Sequence, residues 1–317
     1  MADHHDTILT AKRAGYPFDH PKADVILRSS GDPPVDFRLF KLLLSLASPF
    51  FDVTFTLPQP DSVEDDLPVI LMSEDKHTLE ILLRLCYPIS VEEPMPITSL
   101  KDLQLVIQAA MKLEMEGIQK YTRKVLLEPR FIESQPLRVF AIACRYGWAA
   151  EARKAARFTL RQPITVPFVE ELEYISAAIF YRLQEYHRRC GDIAASRILE
   201  LANEATPDDD RVWTTCLTCP RAGGRNRKRV EYGPGRPGPR KWWVAWMIRV
   251  SEEVRGIPWG ETVKKYDLMK AAAEEAKECI VCKDRATEDL EDFSHILSAE
   301  IERAISSISL QSVELKD

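Results

Sequence analysis

Between residues 23 and 55 the chain carries a hairpin signal followed directly by two dense apolar runs, and this order restricts its possible folds most. Residues 23–29 contain adjacent β-branched side chains, and a Ser-Gly-Asp-Pro-Pro turn at 30–34 ends the segment. Residues 35–39 then alternate apolar and polar side chains, which is typical of a half-buried strand. The two segments together predict a β-hairpin.

Two short helices are predicted directly after the hairpin, over 41–48 and 49–55. Apolar side chains are too dense there for a surface helix with one wet face, so we expect both helices to lie in the core. Pro49 is tolerated in a first helical turn, and Ser48 before it is a favourable cap. A further strand is predicted over 69–71.

The remaining chain shows helical periodicity almost throughout. Ser73 is expected to cap a helix over 76–87, and a proline-broken linker follows at 88–96. Apolar residues at helical spacing predict helices over 100–113, 116–127, 137–146, 149–160, 168–185 and 285–308. The last of these is expected to dock on the tryptophan-bearing segment 242–250. The predicted fold class is therefore α+β, with a small mixed sheet flanked by helices, an all-helical region and a mainly helical, cysteine-containing C-terminal region.

The residues that fill this order of elements resemble the BTB/POZ domain family. The matching positions are the first-strand Asp24, the strand-to-helix signature Phe37, Lys41, Leu44, Ser48, Phe50 and Phe51, and Tyr87 at the end of a leucine-rich helix. Two positions depart from the family: Phe40 replaces the usual His, and 51–55 reads Phe-Asp-Val-Thr-Phe. Both changes keep apolar volume nearby, so the resemblance still implies the fold of the family.

The resemblance implies a non-enzymatic protein-interaction module. Its implied partner is a second copy of the chain or a scaffold protein, since some members act as adaptors on cullin-type ubiquitin-ligase scaffolds. The segments 23–30, 45–51 and 136–145 further resemble the expanded BTB proteins of mushroom-forming fungi. We expect the leader to lack the extra N-terminal strand and helix of strongly dimeric relatives, because it is short and broken by Pro17 and Pro21.

Four regions are predicted along the 317 residues. They are a polar leader (1–22), a BTB/POZ-like domain (23–128), a helical extension (129–205) and a helical C-terminal region (206–317) that contains a basic insertion (221–241). No apolar stretch reaches the ~20 residues needed to span a bilayer, and no signal peptide is recognised, so we expect a soluble protein of the cytosol or nucleus. No motif for a nucleotide, a nucleophilic serine or a catalytic metal occurs, which favours a protein without enzymatic activity.

Two C-x-x-C pairs, Cys216 with Cys219 and Cys279 with Cys282, are the main candidate site. Four thiolates can bind one tetrahedral Zn²⁺, and because no position stays open for water, such a zinc is structural. The segment 220–278 between the pairs is longer than the usual loop of a zinc ribbon. Two alternatives stay open: a dithiol–disulfide redox sensor, and four ordinary half-buried thiols.

The basic insertion offers a second alternative function, that of a nuclear regulator which binds nucleic acid. Residues 221–241 contain eight Lys or Arg and one acid, against a net charge of −6 for the whole chain. The candidate polyanion contacts are Arg225, Arg227, Lys228 and Arg229. The opposing interpretation is a flexible, solvated segment, because Gly and Pro at this density prevent a packed element.

Overall fold

The computed structural model describes residues 11–57, 63–87, 97–165, 167–204, 210–222 and 238–310. The chain divides into two compact units, Met1–Phe131 and Ile132–Asp317. The first contains a small mixed sheet with helices and the second is helical, so the predicted α+β fold class is confirmed. The ranges 129–205 and 206–317, predicted as separate regions, lie largely within one compact unit. The predicted linker at 88–96 lies outside the described residues.

A five-stranded mixed sheet with the order β1-β3-β2-β5-β4 forms the base of the N-terminal unit. Its strands are β1 (Lys12–Arg13), β2 (Val25–Ser30), β3 (Val35–Leu39), β4 (Val63–Glu64) and β5 (Leu67–Asp75). β2 and β3 are antiparallel neighbours, which confirms the predicted hairpin, and β5 joins β2 in parallel. β1 pairs in parallel with β3, so the predicted polar leader contributes a two-residue strand to the sheet.

Helices pack on this sheet and complete the N-terminal core. They are α1 (Lys41–Ala47), α2 (Pro49–Thr54), α3 (Lys76–Cys86), α4 (Leu100–Lys112) and α5 (Glu116–Leu126), while α6 (Pro129–Ile132) lies at the division between the units. Leu27 faces Phe37 across the hairpin, and both side chains are fully buried. Phe18 of the predicted polar leader is also buried, with its ring centroid 5.4 Å from that of Phe37.

The cap of α3 is Asp75, and the prediction of Ser73 was wrong. β5 continues to Asp75 because that residue still pairs with Ser30 of β2. The Asp75 carboxylate then accepts hydrogen bonds from the amides of His77 (2.8 Å) and Thr78 (3.0 Å). Pairing with a distant strand thus keeps Ser73 extended and leaves the capping role to Asp75.

The C-terminal unit consists of helices in its described part. They are α7 (Pro136–Arg145), α8 (Ala149–Thr159), a 3₁₀ helix (Glu170–Tyr174), α9 (Ala177–Glu204), α10 (Val212–Thr215), α11 (Lys241–Gly256), a second 3₁₀ helix (Gly260–Lys264), α12 (Tyr266–Lys277) and α13 (Ala286–Ser306). The predicted single helix over 168–185 was wrong. Ile175 is extended (φ −116°, ψ 153°), and the Ser176 hydroxyl accepts a hydrogen bond from the Ile179 amide at 3.2 Å, so a new helix begins there.

Close helix packing positions α9, α11 and α13 in this unit. At Gly191 of α9 an added Cβ would lie 2.2 Å from the carbonyl oxygen of Arg255 in α11, so only glycine allows this approach. Phe293 of α13 lies 6.3 Å, between ring centroids, from the buried Trp246 of α11. The predicted docking of the last helix on the tryptophan-bearing helix is therefore confirmed.

The helices in the described part of the chain were also compared with the dimensions of a bilayer. None of them combines the length and the apolar character that crossing a membrane demands.

Candidate functional site

The cysteine cluster, defined as Cys216, Cys219, Cys279 and Cys282, brings both predicted C-x-x-C pairs to one place. All four Sγ atoms lie within 4.8 Å of one another. The Sγ atoms of Cys216 and Cys279 are 3.7 Å apart, and those of Cys219 and Cys282 are 3.5 Å apart. Each of these distances joins one pair to the other, so two segments that are far apart in sequence converge.

Helix ends position the four thiols. Cys216 directly follows α10, and its amide donates to the carbonyl of Val212 at 3.1 Å. Cys279 follows the end of α12, and the carbonyl of Cys282 accepts from the amide of Ala286, the first residue of α13, at 2.9 Å. The backbone at both pairs is therefore fixed by regular structure.

The sulfur atoms fit a tetrahedral divalent metal ion. With Zn–S bonds of about 2.3 Å, tetrahedral geometry places neighbouring sulfur atoms about 3.8 Å apart. The separations of 3.5 and 3.7 Å come close to this spacing, and the remaining ones stay within 4.8 Å. Three of the four cysteines are buried and Cys219 is half-buried. The cluster can therefore hold a metal ion with sulfur in every coordination position.

Hydrogen bonds favour the thiolate form of two of these cysteines. The Thr218 hydroxyl, 3.0 Å from the Cys279 sulfur, and nearby backbone amides lower the pKa of Cys279 to about 6. Burial raises the pKa of Cys216, but hydrogen bonds that include those from the backbone amides of Thr218 and Cys219 outweigh it and lower that pKa overall. Burial and the neighbouring sulfur atoms raise the pKa of Cys219 to about 11, and likewise raise that of Cys282. A divalent cation favours deprotonation of all its thiol ligands.

An aromatic layer packs among the helices that carry the cysteines. Trp213 of α10 stacks on Trp243 of α11 with ring centroids 5.2 Å apart, and Phe293 of α13 contacts both rings. The Asp289 carboxylate of α13 accepts from the Val212 amide at 2.7 Å, which joins α13 to the start of α10. These contacts set the distance between the two C-x-x-C pairs.

A cavity of about 720 Å³ opens beside the cysteine cluster. Cys219, Cys279, Trp242 and Glu278 are among the residues that line it. Two of the four cysteines, Cys219 and Cys279, therefore border a cavity in the described part of the chain.

The predicted basic insertion, 221–241, begins and ends at the cysteine cluster. Arg221 and Arg240 form an antiparallel β-bridge, and the Lys241 amide donates to the Pro220 carbonyl at 3.0 Å. Arg240 is only 1% exposed, so the interpretation of this end as part of a solvated segment was wrong. The candidate polyanion contacts lie outside the described residues: Arg225, Arg227, Lys228 and Arg229.

In the N-terminal unit, two of the signature residues hold the backbone at the start of α1. Asp24 Oδ1 accepts from the Lys41 amide at 2.7 Å, and the Tyr87 hydroxyl accepts from the Phe40 amide at 3.1 Å. Burial raises the pKa of the Tyr87 hydroxyl. The Lys41 ammonium, by contrast, lies over the Phe55 ring, 5.7 Å from its centroid.

Ser48 organises the junction between α1 and α2. Its hydroxyl accepts from the Phe51 amide at 3.2 Å and donates to the Leu113 carbonyl, and the side chain is fully buried. The predicted cap is therefore confirmed. The signature residues Phe37, Leu44 and Phe51 are also fully buried, so they build the fold and offer no contact surface.

An apolar surface on α1 and α2 is the feature that sequence reasoning missed. Both helices were expected in the core, yet five apolar side chains on them and just after α2, here called the α1–α2 surface, are 40–77% exposed: Leu42, Leu46, Phe50, Val53 and Leu57. The signal was present as spacing, since the first two lie four residues apart on one face of α1. Apolar density alone does not distinguish a core from an interface, because both use the same side chains.

Three further cysteines lie apart from the cluster and were predicted as core or near-core residues. Cys144 and Cys190 are buried and Cys86 is half-buried, which confirms that prediction. Burial raises the pKa of Cys86 and of Cys144 to about 12 and that of Cys190 to about 11. Thiols in this state are poor nucleophiles.

Comparison with known proteins adds one finding. Residues 19–129 match the family model of the BTB/POZ domain, close to the range of 23–128 predicted from the sequence. A search of curated proteins finds no match to the chain.

Proposed function

We propose, from the BTB/POZ domain over residues 19–129, that this chain is a non-enzymatic interaction protein that pairs with a second copy of itself. The domain family generally mediates protein–protein interaction. The single observation that carries the proposal is the exposure of the α1–α2 surface, where Leu46 is 77% and Leu42 68% accessible. A contiguous patch of exposed apolar groups typically marks an interaction site, whereas single exposed apolar residues do not.

Charge favours a second copy as the occupant of this surface. In a two-fold interface the same patch meets itself, so every charge in it would face or approach an identical charge. The five residues that define the α1–α2 surface are all uncharged, whereas the whole chain has a net charge of −6. Asp52, which is exposed on α2, is the acid nearest to these residues in sequence, so like-charge repulsion in a two-fold interface would be confined to its edge.

The test is the oligomeric state of the full chain with Leu46→Asp. A carboxylate at this position enters a two-fold interface twice, so we expect the dimer to dissociate at least about tenfold more readily. Sedimentation velocity across a concentration series measures the dissociation constant of the dimer. The matched control is Leu71→Asp, because Leu71 is 73% exposed but lies on β5, away from α1 and α2.

Two results would contradict the proposal. A wild-type chain that stays monomeric at high micromolar concentration has no self-association to lose. A dimer that Leu46→Asp and Leu71→Asp weaken equally uses another surface. Binding of a monomer to a cullin-type scaffold would instead support the adaptor role.

We further propose that the cysteine cluster binds one structural Zn²⁺. Four sulfur ligands leave no position for water, so this zinc stabilises the fold and does not catalyse. Elemental analysis of protein purified without chelator or His tag should give one zinc per chain. A metal-free chain whose C-terminal unit is equally resistant to protease would contradict the proposal.

The anchoring of the basic insertion at the cysteine cluster supports a second candidate function, binding of nucleic acid in the nucleus. The Ala222 amide donates to the Pro239 carbonyl at 3.0 Å, which brings the two ends of the insertion together. Arg225, Arg227, Lys228 and Arg229 lie between these ends in the sequence. Binding to a DNA duplex should fall steeply as salt rises from about 50 to about 200 mM, whereas apolar self-association should barely change.

The remaining predictions concern redox chemistry, location and origin. A redox sensor would interconvert two forms under peroxide and dithiothreitol, and unchanged thiol accessibility under both would exclude it.

We propose the cytosol or nucleus as the location, because seven cysteines are an odd number for a disulfide framework. The resemblance to the expanded BTB proteins of mushroom-forming fungi stays a prediction.

A further inference from the structure

Arg240 places a buried cation against the cysteine cluster. The residue immediately precedes α11, and its side chain is among the largest fully buried ones. Its amide donates to the Trp213 carbonyl at 2.9 Å, and its Nη1 donates to the Cys219 carbonyl at 2.8 Å. The guanidinium therefore lies in contact with the backbone of one of the four cysteines.

This guanidinium has no anionic protein partner among the described residues. Its Nε and Nη2 atoms are buried without a hydrogen-bond partner there, and no ion pair joins it to a described carboxylate. Arg249, within α11, also has unpartnered nitrogens, but its Nη1 contacts Glu275 at 2.8 Å. A buried charge without a counter-charge is strongly unfavourable, so Arg240 requires one.

The charge of a metal–thiolate centre meets this requirement. One divalent ion with four thiolates carries a net charge of −2, whereas four neutral thiols carry none. Neutral thiols would leave Arg240 as an isolated buried cation in the described structure. The arginine therefore distinguishes between a metal centre and four ordinary thiols on grounds that are independent of the sulfur spacing.

We propose that Arg240 is the counter-charge of a dianionic metal tetrathiolate at Cys216, Cys219, Cys279 and Cys282. The inference rests on the proposed zinc centre and adds a positioning residue to it. Arg240 neutralises part of the charge of the centre and, through the Cys219 carbonyl, orients the first C-x-x-C pair. Outer-sphere groups of this kind typically change metal affinity about 10–100-fold when they are removed.

The test compares Zn²⁺ affinity in three variants of the full chain. Arg240→Gln removes the charge but keeps much of the side-chain shape, and Arg240→Lys keeps the charge. Arg221→Gln is the matched control, because Arg221 is exposed, lies two residues after Cys219, and donates to the Gly238 carbonyl at 3.1 Å. Competition with a chromophoric zinc chelator gives the affinity, and the sulfur-to-cobalt absorption band after Co²⁺ substitution reports whether four thiolates remain bound.

We expect Arg240→Gln to weaken Zn²⁺ binding at least about 10-fold, Arg240→Lys to restore most of the affinity, and Arg221→Gln to bind like the wild type. Unchanged affinity in Arg240→Gln would overturn the inference. If Arg240→Lys binds Zn²⁺ as weakly as Arg240→Gln, the inference is overturned too. The loss of affinity would then result from the changed side-chain shape and not from the lost charge. If Arg240→Gln does not fold, Arg240→Lys decides alone. A wild-type chain that binds no Zn²⁺ refutes the metal centre itself, which is a different result.

Discussion

The N-terminal unit and the cysteine end of the C-terminal unit place their candidate sites differently relative to the core. In the N-terminal unit the core is complete behind the α1–α2 surface, since Leu44 and Phe51 are fully buried while Leu46 and Phe50 point outward. In the C-terminal unit three of the four clustered cysteines belong to the core, and a buried charge accompanies them. The proposed docking surface can therefore be altered without unfolding its unit, whereas the proposed metal centre cannot.

Loss of the proposed zinc should give the largest difference between the two units. Comparable sulfur-ligated sites have apparent zinc-binding free energies of about 10–16 kcal/mol, so Cys216→Ser or chelation should remove the order of the cysteine end. Limited proteolysis with mass spectrometry should show new cleavages near residues 210–222 and 279–285, while the N-terminal unit keeps its pattern. Cys144→Ser, another buried thiol of the same unit, is the control. Identical digests with and without chelator would contradict the expected difference between the two units.

A core substitution in the N-terminal unit should give the next largest effect. Phe51→Ala removes a fully buried ring that stacks on Phe55 at 5.7 Å, and we expect a loss of about 3–5 kcal/mol in the free energy of unfolding. Zinc content should stay the same. The neighbouring Phe50 is 40% exposed, so Phe50→Ala should cost roughly 1 kcal/mol or less. Urea unfolding measures both, and equal losses would contradict the assignment of Phe50 to the surface.

A smaller effect is expected where α9 and α11 approach each other. Gly191→Ala places a Cβ 2.2 Å from the Arg255 carbonyl oxygen, so the helices must separate, and about 1–3 kcal/mol of stability should be lost. Gly117→Ala in α5 is the control, because nothing lies within 4 Å of its added Cβ. Thermal unfolding of both variants should separate them, and an unchanged midpoint in Gly191→Ala would disprove the close packing.

The smallest effect concerns acid sensitivity of the C-terminal unit. His187 is buried, its Nε2 lies 3.1 Å from the Gln162 carbonyl, and burial lowers its pKa below the ordinary 6.5. Because the folded state favours the neutral ring, this contribution is present above pH 6.5 and is lost as pH falls toward the folded pKa. Between pH 7.5 and pH 5.5 the melting temperature of His187→Gln should therefore fall less than that of the wild type. Equal falls in melting temperature would contradict the lowered pKa of His187.

Local patterns predicted most elements of the N-terminal unit. The β-branched residues of β2 and the Ser48-Pro49 step determine structure through residues close to them in the sequence. Sequence alone therefore predicted the hairpin and the cap of α2. Asp75 was missed as a cap because its role depends on pairing with Ser30, which is distant in sequence. The exposure of α1 was missed since the same apolar side chains suit a core and an interface.

At the cysteine cluster, the sequence predicted which four cysteines come together but not the residues that surround them. The C-x-x-C spacing marks both pairs, but their convergence across the long segment 220–278 depends on the packing of α10, α11 and α13. Arg240 could not be recognised, because it stands at the end of a run of exposed-looking basic residues. Only its burial against Cys219 separates it from that run.

The distance in sequence between the two C-x-x-C pairs has a consequence for biosynthesis. The first pair is translated before α11 and α12, and its partners follow only after the whole of the segment 220–278. In the proposed zinc centre, an ion captured by the nascent chain would at first have two protein ligands, and the other two would follow when the second pair emerges. The N-terminal unit, Met1–Phe131, is compact by itself and can fold ahead of this step. The proposed zinc centre therefore predicts that maturation of the C-terminal unit depends on the supply of free zinc, whereas that of the N-terminal unit does not.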